Sequence, residues 1–219
     1  MRKMITVKIN GEERQYPQGA TYEDVANDYQ QEYENLIALA ARDGKIRELF
    51  KKLTRDCEVT FFTLKDDVGN KTYVRSATML FLKAVFDVYG REAAQSCRVE
   101  FAIGNGSYIS PKEKINATEE NAAKIRNRMR ELVEAKTPFL KRSYSLDNAM
   151  ELFRKEGMKD KEKLFRYRRG SFVNIYEMDG YYDYYYGYML PNAGYVKWFD
   201  VIAYEDGFML LLPDKKDPT

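Results

Sequence analysis

Histidine is absent from this sequence, and cysteine occurs only twice among its 219 residues. Without histidine the chain has no imidazole for a Ser-His or Cys-His nucleophile pair and none to bind zinc. The two thiols, Cys57 and Cys97, are far apart in the sequence, which argues against a disulfide framework and favours reduced, buried side chains. The commonest hydrolytic and zinc-dependent sites are therefore not expected.

Long hydrophobic runs are missing as well. No stretch approaches the roughly 18 apolar residues of a membrane span, and the first residues have no apolar run typical of a secretory signal. We therefore expect a cytoplasmic protein with no membrane partner. The sequence also lacks a Gly-x4-Gly-Lys-Ser/Thr phosphate loop, so we expect no phosphoryl transfer by these residues.

Charge is nearly balanced overall, with a formal net charge of +2, but it is unevenly distributed. Residues 111 to 169 contain 17 lysines and arginines against 10 acidic residues, whereas residues 172 to 219 contain 3 against 8. A basic helical region can contact phosphate, or it can simply be a solvated helix surface. The charge pattern leaves both interpretations open.

The first part of the chain predicts a small β-rich domain. Its predicted elements are a strand over residues 4 to 10, a second strand over 14 to 17, a helix beginning at Thr21, and a closing strand over 59 to 64. Thr21 and the acidic Asp24 have the spacing of a capping box, which predicts the helix start.

The remainder predicts helices followed by many strands. The predicted helices cover residues 72 to 89, 118 to 136 and 145 to 157. The predicted strands cover residues 99 to 108, 139 to 144, 164 to 167, 172 to 178, 181 to 189, 198 to 205 and 208 to 212. The fold class expected from these patterns is α+β.

The order of the first elements, with its Gly19-Ala20-Thr21 helix start, resembles the TGS domain over residues 1 to 67. This β-grasp module occurs in threonyl-tRNA synthetase, in certain GTPases and in stringent-response enzymes. The resemblance implies a β-grasp fold for this part of the chain.

Residues 181 to 192 resemble the Tyr-x-Asp-x-Cys-x-Gly-x-His-x-Pro-Asn segment of the threonyl- and alanyl-tRNA synthetase editing domain, and residues 75 to 79 resemble its His-x3-His pair. The resemblance implies an editing-like domain over residues 68 to 219. Its four metal-ligand positions are occupied here by Arg75, Met79, Tyr185 and Met189. Because guanidinium, thioether and phenol groups suit zinc poorly, we expect no metal and no catalytic residue.

Two interpretations of this degenerate site remain open. In the first, methionine and tyrosine side chains simply refill the core, and Asp183 pairs with Arg75. In the second, the cleft still binds a nucleoside or aminoacyl-like ligand. Strand alternation would then place four tyrosines on one face as a stacking platform, namely Tyr182, Tyr184, Tyr186 and Tyr188.

A TGS domain followed by an editing-like domain without histidine resembles the N-terminal half of bacterial uridine kinase-like proteins. The resemblance implies a covalently linked kinase domain beyond residue 219 that uses ATP and magnesium, and a non-catalytic accessory or ligand-binding role, without cofactor, for this region. An alternative is a module that binds the acceptor end of tRNA through a basic helix face, consisting of Lys124, Arg126, Arg128 and Arg130. A metal-independent editing hydrolase is a third hypothesis, for which no suitable general base is evident.

Overall fold

The computed structural model describes residues 3 to 112, 114 to 167 and 170 to 218, and the chain divides into two compact units. Unit 1 comprises Met1–Ser76, Gly187–Pro191 and Pro213–Thr219, and unit 2 comprises Ala77–Tyr186 and Asn192–Leu212. These compact units do not test whether residues 1 to 67 and 68 to 219 fold as separate domains, so the predicted domain boundary at residue 67 stays a prediction. Within the described ranges, no helix is long and apolar enough to cross a membrane.

Unit 1 contains a five-stranded sheet and one short helix. Its elements are β1 (Met4–Ile9), β2 (Glu12–Pro17), α1 (Tyr22–Tyr29), β3 (Ile37–Arg42), β4 (Lys45–Glu48) and β5 (Cys57–Thr63). The strand order is β2-β1-β5-β3-β4, with β1 parallel to β5 and the other neighbours antiparallel. A parallel pair needs a crossover connection, and the segment containing α1 lies in that connection. This is the predicted β-grasp arrangement.

The start of α1 follows from two side chains. The Asp24 amide donates to the Thr21 hydroxyl at 3.1 Å, and the Thr21 amide donates to the Asp24 carboxylate at 2.7 Å. This reciprocal pair satisfies two amides that a helix start would otherwise leave without partners. The predicted capping box is confirmed.

The long helix α2 spans Asp67–Tyr89, so residues 67 to 76 belong to unit 1 and residues 77 to 89 to unit 2. It ends where predicted, at Gly90, whose amide donates to the Phe86 carbonyl at 3.0 Å. The φ of Gly90 is +86°, a conformation that suits a residue without a Cβ atom.

Unit 2 also contains two antiparallel sheets. Its further elements are α3 (Arg91–Ser96), β6 (Arg98–Ile103), β7 (Gly106–Ser110), α4 (Glu119–Glu134), β8 (Leu140–Ser145), α5 (Leu146–Lys155), α6 (Lys159–Arg166), β9 (Phe172–Met178), β10 (Tyr181–Asp183), β11 (Asp200–Tyr204) and β12 (Gly207–Leu211). The sheet orders are β11-β12-β7-β6 and β10-β9-β8. Helix α4 packs along β11, and one of its faces is buried.

A separate small core holds α5 and α6 beside β9. We call it the α5–α6 cluster, and its buried members are Ala149, Phe153, Met158, Phe165, Val173 and Ile175. The strand predicted over residues 164 to 167 is wrong, because α6 occupies this stretch up to Arg166. A short apolar run cannot distinguish a strand from a helix, whereas acidic residues in the first turn and basic residues in the last turn favour the helix.

Both cysteines are free thiols, as expected. Cys97 is buried, whereas Cys57 is partly exposed, so the prediction of burial is confirmed for only one of them.

Candidate functional site

The tyrosine-rich segment is a strand only at its start. It pairs with β9 over Tyr181–Asp183, and residues 184 to 189 have no regular structure, so the strand predicted up to Met189 is wrong. Gly187 has a φ of +137°, and a Cβ atom there would lie 2.7 Å from Cζ of Arg75. Such a backbone is incompatible with continued strand pairing and brings the chain close to Arg75.

Two of the four positions that resemble metal-ligand positions belong to unit 1, and both are held there by hydrogen bonds. Nε of Arg75 donates to the Tyr188 carbonyl at 3.1 Å, and its guanidinium also donates to the Thr72 hydroxyl at 3.3 Å. Met189 is fully buried, and its amide donates to the Glu48 carboxylate at 3.3 Å. These contacts favour a structural role for Arg75 and Met189.

The other two positions, Met79 and Tyr185, belong to unit 2 together with Asp183. Met79 is fully buried on α2, as expected for a core side chain. Asp183 is also buried, and its carboxylate accepts from the Tyr184 amide at 2.7 Å and pairs with Nζ of Lys161 at 3.2 Å. The predicted pair between Asp183 and Arg75 joins residues of different units and stays a prediction.

A cavity of about 520 Å³ lies in unit 2, and both Asp183 and Tyr185 line it. The charged groups in its wall are the cations Arg98, Lys114, Lys159 and Lys161 and the carboxylates Glu92, Asp160 and Asp183. Cations therefore exceed carboxylates by one. Lys159 has no ion-pair partner in the described part of the chain. A cavity of this size and charge suits a polar, anionic ligand.

The Tyr185 hydroxyl is the most informative atom of this cavity. It is buried and has no hydrogen bond of good geometry within the described part of the chain, although the Asp183 carboxylate is near enough to interact with it. Burial, with a smaller effect of the Asp183 charge, raises the pKa of Tyr185 well above 10, so the hydroxyl keeps its proton at neutral pH. A buried hydroxyl without a partner costs roughly 1–3 kcal/mol, and a ligand atom that accepts its proton would recover that cost.

The cavity also contains a thiol, that of Cys97. Burial raises the pKa of Cys97 to about 12, so the thiolate is scarce at neutral pH. Because the thiolate is the nucleophilic form, Cys97 is unsuited to covalent catalysis.

The remaining tyrosines do not form one row. Tyr182 and Tyr184 pack against the α5–α6 cluster, and the Tyr184 ring meets Phe165 edge-on at 4.7 Å between centroids. Tyr186 is instead 87% exposed. The predicted alternation is wrong beyond Asp183 because the strand ends there, and a stacking role for these tyrosines stays a prediction.

Most of the cations predicted to contact RNA on α4 are neutralised within unit 2. The ion pairs are Lys124 with Glu120 at 2.7 Å, Arg126 with Asp200 at 3.0 Å, and Arg128 with Asp87 at 2.8 Å. Arg130 is exposed and has no ion-pair partner among the residues that the structure describes. Cations held in ion pairs have less charge to offer a phosphate, so this face is a weaker candidate than the sequence indicates. A contact between the basic face of α4 and RNA stays a prediction.

The lysines of α6 were not predicted as site residues from the sequence. Lys159 and Lys161 line the cavity, and both belong to the basic stretch of residues 111 to 169. The available signal was the close spacing of lysines there, which the incorrect strand assignment concealed. In the described ranges, no group of three or more Asp, Glu or Cys side chains is placed to hold a metal ion.

Comparison with curated proteins finds threonine–tRNA ligases. The chain is 29% identical over 205 residues to that of Thermotoga maritima, a match that covers 91% of this chain and 30% of the relative. It is 25% identical over 194 residues to that of Porphyromonas gingivalis, covering 86% of this chain and 29% of the relative. The chain thus spans about 30% of the length of these relatives. No protein-family model matches it.

This similarity agrees with the predicted fold class, a TGS-type β-grasp domain followed by an editing-like α+β domain, which is thereby confirmed. The relatives give no support to the predicted link with uridine kinases, so that link and its ATP and magnesium stay predictions. The chain is similar to about a third of a threonine–tRNA ligase, and of the four positions that resemble metal-ligand positions, Tyr185 lines the unit 2 cavity.

Proposed function

We propose that this chain binds the acceptor end of a tRNA in the unit 2 cavity without hydrolysing it. Similarity to threonine–tRNA ligases, which act on tRNA by name, supports the choice of RNA over a free nucleotide. The proposal agrees with the tRNA-binding alternative that the sequence left open.

The observation that carries the proposal is the buried Tyr185 hydroxyl, which has no well-formed hydrogen bond and lies in a cavity whose wall has one more cation than carboxylates. The 3′ end of a tRNA offers ribose and base acceptors for this hydroxyl and phosphates for the lysines. The Lys161 ammonium is oriented by Asp183 at 3.2 Å and remains partly exposed, so it can contact a phosphate as well.

The side chains of the cavity also support the proposal that the chain binds RNA without hydrolysing it. The positions that hold metal in the resembling family carry no imidazole or thiolate here, and the chain has no histidine to act as a general base. Asp183 is held in an ion pair with Lys161, and burial keeps Tyr185 and Cys97 protonated. The cavity therefore has groups that bind and orient a ligand but no evident group that activates water.

Replacing Tyr185 with phenylalanine should affect the affinity for RNA and the stability of the fold differently. Because the hydroxyl has no well-formed hydrogen bond in the free protein, Tyr185→Phe should change the free energy of unfolding by less than about 1 kcal/mol. The same change should weaken binding of a fluorescein-labelled tRNA acceptor minihelix by about tenfold, because the ligand loses a hydrogen bond in a buried site. Urea unfolding and fluorescence anisotropy measure the two effects.

Tyr186→Phe is the matched control, since the Tyr186 side chain is 87% exposed. It should change neither stability nor affinity. Unchanged affinity of Tyr185→Phe for the minihelix would contradict the proposed role of the hydroxyl.

A further inference from the structure

Helix α6 exposes two adjacent rows of side chains. Lys159, Lys163 and Arg166 lie at helical spacings of four and three residues, so they share one face, and all three are exposed. The neighbouring row contains Leu164, which is 61% exposed, and it leads to Tyr167, which is 84% exposed. The helix is anchored from the other side by the fully buried Phe165. We call the exposed rows the α6 surface.

The cations of the α6 surface are unneutralised. In the described ranges, Lys159, Lys163 and Arg166 have no carboxylate within ion-pair distance, although Arg154 on α5 pairs with Glu162 at 3.1 Å. This contrasts with α4, where three of the four cations are held in ion pairs. Unpaired cations in a row attract a polyanion because they have no internal partner to compensate their charge.

The dimensions of this row suit a phosphate backbone. From Lys159 to Arg166 the row extends about 10 Å along the helix axis, which is long enough to contact more than one phosphate of a strand. Lys159 also lines the cavity, so the row begins at the proposed site of the RNA end and continues away from it.

Exposed aromatic side chains accompany these cations. Tyr167 directly follows α6, and Phe172, which is 67% exposed, begins β9. Aromatic rings beside a basic track are the usual composition of sites for unpaired nucleotides, because bases stack on the rings while cations contact phosphates.

We propose that the α6 surface binds the unpaired strand of RNA that precedes the end held in the cavity. This inference rests on the proposed function and adds a second contact site to it. Lys163 and Arg166 contact phosphates, and Tyr167 stacks on an unpaired base. The partner is RNA and not an acidic protein, because the rings and the regular cation spacing match the repeat of a nucleotide chain.

The test compares two double variants of the full chain that lose the same charge. Lys163→Gln with Arg166→Gln should weaken binding of a fluorescein-labelled acceptor minihelix with an unpaired 3′ strand by about 10- to 100-fold at 100 mM salt. It should also lower the magnitude of the slope of log affinity against log salt by about 1.4, since two phosphate contacts with an unpaired strand are lost. Lys124→Gln with Arg130→Gln on α4 should change affinity by less than about threefold.

A third variant tests the stacking contact at the C-cap residue of α6 and keeps the basic side chains of the last turn, which also stabilise the helix. Tyr167→Ala should weaken binding by about tenfold and leave the salt slope unchanged, because it removes no charge. Circular dichroism verifies that each variant is folded.

The outcomes separate this inference from the proposed function. If the α6 variants bind as tightly as the wild type while Tyr185→Phe still weakens binding, the α6 surface is overturned and the cavity stands. If the α4 variant loses affinity instead, the RNA lies on α4 and the inference is wrong. If the wild-type chain does not bind the minihelix, both proposals fall.

Discussion

Unit 2 is expected to lose stability steeply above pH 9, because buried acids around its cavity ionise only when it unfolds. Cys97 and Tyr181 are 7% and 6% exposed, and burial is the main cause that raises the pKa of each. The pKa of Cys97 rises from 9.0 to about 12, and those of Tyr181 and Tyr185 lie well above 10.

The direction in which the free energy of unfolding changes with pH follows from the number of protons bound in each state. Above pH 9 the unfolded chain loses protons that the folded chain retains, so the stability present below pH 9 declines as pH rises. Each group contributes a slope of about 1.4 kcal/mol per pH unit between its unfolded and folded pKa values. Cys97 alone accounts for about 4 kcal/mol between pH 9 and 12, and the two tyrosines add to the slope from pH 10.

Urea unfolding of the reduced protein at a series of pH values measures this slope. Cys97→Ala should reduce it by about 1.4 kcal/mol per pH unit above pH 9, whatever its effect at neutral pH. Cys57→Ala is the matched control, and because Cys57 is partly exposed its effect on the slope should be smaller. Equal slopes for wild type and Cys97→Ala would show that Cys97 is not held in a buried, uncharged form.

Phe165→Ala should release α6 from the rest of unit 2. The Phe165 ring is fully buried, lies 5.2 Å from the Phe153 ring, and meets Tyr184 edge-on. Removing a buried phenylalanine side chain costs about 3–5 kcal/mol. Since the α5–α6 cluster is small, we expect the loss to appear as local opening, with amide hydrogen exchange in residues 146 to 166 more than 100-fold faster.

The same variant should bind RNA weakly, because α6 supplies two cavity lysines and the cations of the α6 surface. Leu164→Ala on the same helix is the matched control for hydrogen exchange, since Leu164 is 61% exposed and its loss should cost less than about 0.5 kcal/mol. If Phe165→Ala left exchange unchanged, the α5–α6 cluster would not be the structure that positions α6.

The elements that the sequence predicted correctly are those with local signals. Thr21 with Asp24, and Gly90 after a helical apolar pattern, specify a helix start and a helix end through contacts within a few residues. The first two strands were predicted for a similar reason, since the patterns of residues 4 to 10 and 14 to 17 are short-range.

The errors lie where distant residues decide the structure. The strand predicted up to Met189 ends at Asp183, since β9 offers partners only for residues 181 to 183 and Gly187 turns the backbone. The ion pair of Asp183 with Lys161 on α6 was not predicted, because no local pattern contains it. Sequence patterns identified Asp183 and Tyr185 as site residues, but only the fold brings them together with the α6 lysines at one cavity.

The central claim, that the unit 2 cavity holds the acceptor end of a tRNA, is tested most directly by one comparison of affinities. Anisotropy titrations with the wild-type chain would use the same acceptor minihelix with and without its three 3′-terminal nucleotides, at fixed salt. We predict that removing these nucleotides weakens binding by at least about tenfold, and that Tyr185→Phe largely removes this difference. Equal affinity of the wild-type chain for the two RNAs would contradict the claim, because the cavity would then contribute nothing to RNA binding.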